Sequence, residues 1–219
     1  MRKNFHPTEA IFTNAANHPN IVKLYGLLFD TRIAELIMDF AGQSLQSLIT
    51  TKSLDKDIIL SLILDICSGL VFLESKNMVH LDIKPSNLFV HVDDRKEYRL
   101  KIGDFGSARM PEEKKEKIAW TTLYGAPELA QLNLKQIGHH KKEEKPIQNS
   151  VEELKLSLQP KTDMFSFGLV LGFMYSKEKH HLLSILVPKE KSYSHELKIK
   201  EYVRTIFKVL KIANKFNIC

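Results

Sequence analysis

The sequence predicts an α+β fold in which a few short strands precede a mostly helical region. Residues 21–28 follow a His-Pro-Asn turn with an alternating pattern, and residues 34–40 form a second short apolar run, as strands do. Residues 55–75 place apolar side chains at helical spacing on nearly every face, which predicts a long buried helix. Residues 163–171 open another apolar segment that we predict to be helical and buried. Strands near one end and long helices after them are typical of the α+β class.

A short helix and an amphipathic helix are predicted on either side of this framework. Residues 7–17 begin with Pro7 and carry Glu9 in the first turn, which is the pattern of a helix N-terminus. Residues 195–216 carry apolar side chains at helical spacing near the other end. Between the framework segments lies a polar stretch at about 133–158, which we predict to be an exposed insertion because it has no apolar period.

Composition indicates an ordinary globular domain in a reducing, cytoplasmic environment. The chain has 219 residues, of which 43% are hydrophobic and 26% charged, enough for one domain with a sizeable core. No apolar run approaches the ~20 residues of a membrane span, and the N-terminus has no apolar core like that of a secretory signal. Cys67 and Cys219 are the only cysteines, so we predict no disulfide framework.

The positive charge does not predict nucleic acid or a membrane as a partner. The formal net charge is +6, but the lysines are spread along the chain and usually stand beside glutamates. This distribution is typical of a solvated surface. The adjacent His139 and His140 lack a cysteine or a spaced carboxylate, so we predict no metal site there.

The chemistry is concentrated in the segment from Val79 to Val90. Asp82, Lys84 and Asn87 lie within six residues between two apolar runs, and Pro85 excludes a continuous helix. The segment is therefore predicted to be a loop that presents polar groups from an apolar base. Asp104-Phe105-Gly106 and then Ala126-Pro127-Glu128 follow it. In this order and spacing, the three segments resemble the catalytic segments of eukaryotic-type protein kinases.

This resemblance implies a protein-kinase-like fold in one incomplete domain. Residues 1–38 would form a truncated N-lobe with the end of helix C and strands 4 and 5, and residues 39–219 a mostly helical C-lobe. Lys84, two residues after Asp82, resembles the pattern of serine/threonine-type kinases. His80-Leu81-Asp82 together with the Leu-Gln-Pro-Lys-Thr-Asp at 158–163 resembles the Mos-like kinases more narrowly.

The resemblance assigns a role in phosphoryl transfer to each polar residue of these segments. Asp82 would accept the proton of the substrate hydroxyl, and Lys84 would reach the γ-phosphate of ATP. Asn87 and Asp104 would supply oxygen ligands to Mg²⁺. Thr121 would contact the catalytic aspartate and lysine. ATP and Mg²⁺ are the implied cofactors, and the implied partner is a protein with a serine or threonine hydroxyl.

The same resemblance predicts an adenine site between the two lobes. Met38 would be the gatekeeper, and the backbones of Asp39 and Ala41 would hydrogen-bond adenine. Leu88 and Phe89 would form the floor beneath the base. Because the backbone does the recognising, side-chain identity at the two hinge positions carries little information.

A stacked apolar column and an anchoring aspartate are also implied. His80, Phe105 and Leu24 match three members of the column that joins the lobes. Thr13 takes the fourth place, where a larger apolar side chain is usual, so we expect weaker docking of its helix. Asp163 would hydrogen-bond the backbone of the catalytic loop.

The region before Glu9 departs from the family pattern. The only glycine before Gly42 is Gly26, and Lys3 lies six residues before Glu9, closer than the usual spacing of the strand-3 lysine. We therefore expect the glycine-rich lid and that lysine to be missing from this chain. Two interpretations of Glu9 are equally compatible with the sequence. It is either the helix-C glutamate of the family or an ordinary carboxylate at a helix N-terminus.

A second departure concerns regulation. Leu81 replaces the arginine that normally holds an activation-loop phosphate. Between Ala108 and Trp120 there is no Ser, Thr or Tyr. The arginine that would bind the phosphate and the hydroxyl group that would carry it are both absent. We therefore predict that phosphorylation of this segment does not regulate the protein.

Two functions follow from these residues. The first is a serine/threonine protein kinase that transfers the γ-phosphoryl group of ATP to a protein hydroxyl, with Asp82 as catalytic base. The alternative is a catalytically dead or truncated pseudokinase that acts as a binding or regulatory module.

Overall fold

The computed structural model describes residues 2–4, 7–30, 33–111, 123–126, 129 and 159–176 of the chain. Several sequence predictions lie outside these residues, and they stay predictions. They are the role of Thr121, the insertion at about 133–158, the helix over 195–216 and the predictions for residues 112–122.

The first part of the chain forms a three-stranded antiparallel sheet with one helix. Its elements are β1 (Arg2–Asn4), α1 (Pro7–Ala15), β2 (Leu24–Asp30) and β3 (Ile33–Met38), and the strand order is β1-β3-β2. The predicted helix over 7–17 and the predicted strand over 34–40 are confirmed within a few residues. The predicted strand over 21–28 begins later than expected.

The late start of β2 has a structural cause in the segment before it. Ile21 forms an isolated bridge with Ile102, and the Val22 N–H donates to the Ile102 carbonyl at 2.9 Å. The Asn20 side chain donates to the Leu100 carbonyl at 3.0 Å. These bonds attach the segment to the second half of the chain before it enters the first sheet.

Strand β1 (Arg2–Asn4) is an element of this sheet that was not predicted from the sequence. β1 pairs antiparallel with β3, and its register places Lys3 opposite Leu36. Cross-strand partners share one face of a sheet. The register position of Lys3 is therefore on the face of Leu36 and, two residues along β3, of Met38. Spacing along the sequence missed this strand because it contains only three residues.

The second part contains a smaller sheet and a long helix. Its elements are β4 (Gln43–Ser44), α2 (Leu45–Thr51), α3 (Lys56–Ser75), β5 (Leu88–Val92) and β6 (Tyr98–Ile102), with the antiparallel strand order β4-β5-β6. α3 packs on β6, where Leu100 and Ile102 are fully buried. Gly69 permits this close approach, since a Cβ there would lie 2.7 Å from the Ile102 side chain.

Helix α3 has the predicted length, but it is not buried nearly all round. Leu60, Leu64 and Val71 are more than half exposed, whereas Leu62 and Ile66 on the opposite face are fully buried. By length and composition alone, Lys56–Ser75 is apolar enough to cross a membrane, contrary to our expectation that no run approached this length. Its buried face nevertheless packs into the core with β6, as in a core helix of a globular domain.

Helix α4 (Pro160–Ser176) confirms the predicted apolar segment that begins near Asp163. Phe167, Val170, Phe173 and Met174 are buried in the same core cluster as the buried face of α3. This cluster lies beneath the loop between α3 and β5, so the loop that carries the candidate chemistry rests on an apolar base.

Candidate active site

The backbone of the loop is anchored by Asp163 from helix α4. The Asp163 carboxylate accepts the N–H of His80 at 2.6 Å and the N–H of Leu81 at 2.8 Å. The side chain is buried, and burial raises its pKa to about 7 although both N–H bonds act to lower it. The predicted contact between this aspartate and the catalytic loop is thus present.

His80 is held as a neutral ring in the core of the loop. Its Nε2–H donates to the Gly103 carbonyl at 3.0 Å, while Nδ1 accepts the Asp82 N–H at 3.3 Å. Burial lowers the pKa of His80, which agrees with a ring that donates from one nitrogen and accepts at the other. The ring packs edge-on against Phe105 with centroids 4.8 Å apart.

The other two members of the predicted column behave differently. Leu24 is partly buried and packs against a cluster that contains Val22 and Met38. Thr13 is buried, and its Oγ1 has no hydrogen-bond partner among the described residues. A hydroxyl at this position therefore adds a desolvation cost that an apolar side chain would avoid.

Leu81 lies in the core instead of presenting a charge. Its side chain is fully buried, and its backbone adopts φ of 65°. A positive φ is costly for a branched residue, and the Asp163 bond to the Leu81 N–H is what stabilises it here. A buried leucine cannot act as a receptor for a phosphate.

Asp82 forms a compact polar cluster with Lys84 and Asn87. The Lys84 ammonium contacts Asp82 Oδ2 at 2.7 Å, and Asn87 Nδ2 donates to the same oxygen at 2.9 Å and to the Asp82 carbonyl at 2.9 Å. Asp82 Oδ1 is buried and has no partner among the described residues. One carboxylate oxygen is therefore fixed in place while the other remains open to a further donor.

Asp104 is presented to the same region by an unusual backbone. It adopts φ of 65° and ψ of 67°, the left-handed region, immediately before the short 3₁₀ helix Phe105–Ser107. The neighbouring Gly103 N–H donates to the Asn87 carbonyl at 2.9 Å, which fixes Asp104 relative to the loop. Left-handed backbone at an aspartate is tolerated better than at branched residues and is frequent at functional sites.

A cavity of about 240 Å³ lies between the two sheets next to these residues. Among the predicted site residues, its walls contain Met38, Asp39, Ala41, Phe89, Asn87 and Asp104. Glu9 also lines the cavity and is 2% exposed. A buried carboxylate facing this cavity favours the interpretation of Glu9 as the helix-C glutamate over an ordinary solvated carboxylate.

Two predicted cofactor-binding residues do not line the cavity. Leu88 is fully buried in the core cluster beneath β5, because alternation along the strand sends Phe89 to the cavity and Leu88 to the opposite face. The position of Leu88 therefore does not support a direct contact with adenine, and its predicted place in the adenine floor stays a prediction. Lys84 does not line the cavity either and instead contacts Asp82.

Two features at the cavity were not predicted from the sequence. Lys101 on β6 forms an ion pair with Asp39, which directly follows β3 and lines the cavity. The one available signal was a lysine placed between the buried Leu100 and Ile102 on β6. Gly42, which follows the hinge residues, adopts φ of +87°, and a glycine just before a strand pattern could have indicated such a turn.

Replacing Gly42 by alanine is expected to destabilise the fold and distort the hinge. A Cβ there would lie 2.1 Å from the Val90 carbonyl oxygen, on backbone that L-residues disfavour. We expect the free energy of unfolding to fall by about 3 kcal/mol. Chemical denaturation measures the loss. Gly26→Ala is the control, because nothing lies within 4 Å of its Cβ position, and equal losses in both variants would contradict the prediction.

Comparison with known proteins identifies the family of this chain. The family described as "Protein kinase domain" matches residues 2–218. The chain therefore belongs to the protein kinase domain family, which confirms the resemblance and the kinase-like α+β fold. The narrower likeness to Mos-like kinases stays a prediction.

Three relatives of this chain are protein kinases by name, and two of them are named serine/threonine-protein kinases. The chain is 32% identical to serine/threonine-protein kinase DCLK3 of Mus musculus over 124 residues, which are 56% of this chain and 16% of the relative. It is 34% identical to Aurora/IPL1-related protein kinase 2 of Caenorhabditis elegans over 116 residues, 52% of this chain and 37% of the relative. It is 32% identical to serine/threonine-protein kinase ATG1b of Arabidopsis thaliana over 129 residues, 57% of this chain and 18% of the relative. The aligned parts thus span well under half of each relative.

Proposed function

We propose that this protein is a serine/threonine protein kinase that uses ATP and Mg²⁺ to phosphorylate a protein hydroxyl. The observation that carries the proposal is the geometry of Asp82. Its Oδ2 is fixed by Lys84 and Asn87, whereas the buried Oδ1 has no partner among the described residues. An aspartate held in this way is suited to accept one proton from one direction.

In the proposed reaction, Asp82 Oδ1 accepts the proton of a serine or threonine hydroxyl as its oxygen approaches the γ-phosphorus. Lys84 is 2.7 Å from Asp82 Oδ2, so its ammonium would be available to a phosphoryl group transferred beside the aspartate. A cation at that position stabilises the negative charge on the phosphoryl oxygens. Positioning and electrostatics are sufficient for this chemistry, which needs no covalent intermediate on the protein.

The residues of the cleft fit a magnesium ion. Asn87 uses Nδ2 to bind Asp82, which leaves its Oδ1 as the atom available to a metal. Asp104 lines the same cavity, and carboxylate and amide oxygens are ligands that Mg²⁺ accepts alongside water and phosphate. When bound, the ion would neutralise phosphate charge. Asn87 and Asp104 are the residues that would hold it.

The adenine end of the cavity is formed by the hinge, which we define as residues 39–41. Met38 and Phe89 line the cavity next to it and provide apolar walls for a flat base. The backbones of Asp39 and Ala41 are proposed to hydrogen-bond adenine. Thr121 is proposed to position Asp82 and Lys84, and it lies outside the described residues.

Replacement of Asp104, a proposed Mg²⁺ ligand, tests the proposal by its effect on ATP binding. We expect Asp104→Ala to weaken ATP binding in the presence of Mg²⁺ by roughly tenfold or more, and to leave binding without Mg²⁺ nearly unchanged. Isothermal titration calorimetry with ATP, with and without Mg²⁺, measures both. Asp94→Ala, an exposed residue of a turn, is the matched control.

Each result of this titration has a distinct meaning. An equal effect of Mg²⁺ on wild type and Asp104→Ala would contradict the metal-binding role. Wild-type protein that binds ATP with Mg²⁺ but transfers no phosphate to casein would favour the binding-module alternative. Absence of nucleotide binding altogether would overturn the proposal of an ATP-dependent enzyme.

A further inference from the structure

An ion pair joins β6 and the hinge at the rim of the cavity. The Lys101 ammonium on β6 contacts Asp39 Oδ2 in the hinge. The two side chains are 26% and 22% exposed, so water screens the pair only in part. An ion pair that is held in place and partly desolvated interacts more strongly than a freely exposed one.

The strand geometry explains why Lys101 reaches the hinge. Leu100 and Ile102 on either side of it are fully buried against α3, so Lys101 lies on the opposite face of β6. Its cross-strand partner on β5 is Phe89, which lines the cavity. Lys101 therefore stands on the floor side of the cleft, beside the aromatic ring proposed to lie beneath adenine.

Asp39 is restrained from the other side as well. Its N–H donates to the Lys23 carbonyl at 2.8 Å, which attaches it to the segment that leads into β2. Its carboxylate is bound by Lys101 from β6 of the second sheet. Asp39, the first residue of the hinge, is thus fixed on two sides. Its backbone is bound to the segment before β2, and its side chain is bound to β6.

We propose that Lys101 is a positioning residue for nucleotide binding: its ion pair with Asp39 ties the hinge to β6 and orients the hinge backbone for adenine. The proposal rests on the proposed function, because it needs a base bound at the hinge. Lys101 acts through Asp39 and the hinge backbone, and it makes no contact with the reacting groups. A tie of this kind lowers the cost of ordering the hinge when the base binds.

Adenosine and ATP together separate this role from a direct contact with phosphate. We expect Lys101→Met to raise the Kd of adenosine and the Kd of ATP by the same factor, roughly three- to tenfold. Asp39→Asn should give a similar factor, and the double variant should be no weaker than either single one. Lys101→Arg, which keeps the charge, should restore most of the affinity. In a kinase assay, KM for ATP should rise while kcat stays the same.

Arg99→Met is the matched control for the charge and the strand. Arg99 lies two residues before Lys101 on β6, is 57% exposed and forms its ion pair with Glu97 at 2.7 Å. We expect wild-type affinity in this variant. Thermal unfolding confirms that each variant is folded, and Lys101→Gln replaces Lys101→Met if the latter does not fold.

The outcomes that overturn the proposal are distinct. Weaker binding of ATP alone, with unchanged adenosine, would make Lys101 a phosphate contact. Unchanged binding of both ligands in Lys101→Met would show that the ion pair does not orient the hinge. Wild-type protein that binds neither ligand would remove the proposed function itself, and this inference with it.

Discussion

Asp82→Asn is expected to lower kcat for phosphoryl transfer to casein by roughly 10²–10⁴-fold, with little change in the Kd of ATP. Asparagine has the shape of aspartate, and its oxygen can still accept from Lys84 and Asn87, which now bind Asp82 Oδ2. The group that takes the place of the buried, unpartnered Oδ1 is then an amide nitrogen. An amide nitrogen cannot take the proton of the attacking hydroxyl, so the loss should appear in the chemical step.

Radiolabelled phosphate transfer and calorimetric ATP binding measure the two quantities separately. Asp94→Asn makes the same chemical change at an exposed turn and should retain wild-type kcat. A variant Asp82→Asn that phosphorylates casein at the wild-type rate would contradict the role of general base. A rise in the Kd of ATP with unchanged kcat would show that Asp82 supports binding rather than chemistry.

The parts of this site that the sequence could predict are local. Asp82, Lys84 and Asn87 lie within six residues around a proline, so short loop geometry brings their polar atoms together. The long apolar period of α3 likewise predicted its helix, because helical periodicity over many residues is a strong signal. Asp163 was identified through the family resemblance, and the structure then supplied the two N–H bonds that explain it.

The parts that escaped depend on pairing between distant segments. β1 is three residues long, and its place beside β3 is set by the sheet rather than by its own composition. Leu88 and Phe89 are adjacent apolar residues, and only the pairing of β5 with its neighbours decides which one faces the cavity. The pair of Lys101 and Asp39 joins residues 62 positions apart, a contact to which no local pattern points.

The second large effect is expected at Asp163, as a dependence of stability on pH. Burial raises the pKa of this carboxyl from 3.8 to about 7 in the folded protein. The folded state therefore holds a proton that the unfolded state has already lost between those two values. A group with a raised pKa contributes stability that is fully present below pH 3.8 and is lost as pH rises through about 7.

Comparison of wild type with Asp163→Asn isolates this contribution, because asparagine does not titrate. We expect the free energy of unfolding of wild type, relative to the variant, to fall by about 2 kcal/mol between pH 5 and pH 7 and to level off above pH 8. In addition, we expect the variant to lose a constant amount of stability at every pH. The amide nitrogen cannot accept a second N–H, so either the His80 or the Leu81 N–H is left without a partner, at a cost of about 1–3 kcal/mol.

Denaturant unfolding at a series of pH values measures both effects. Asp94→Asn changes an exposed carboxylate and keeps Asp163, so the free energy of unfolding of wild type relative to this variant should not fall with pH in the same way. The sign of the slope decides between two physical causes. Burial disfavours the charged carboxylate, whereas the two N–H donors favour it. A relative stability that rises with pH would mean that the hydrogen bonds outweigh burial and that the pKa lies below 3.8. A fall with pH would mean that the cost of burying the charged carboxylate outweighs the two hydrogen bonds, so that the fold loses stability as the pH rises toward 7.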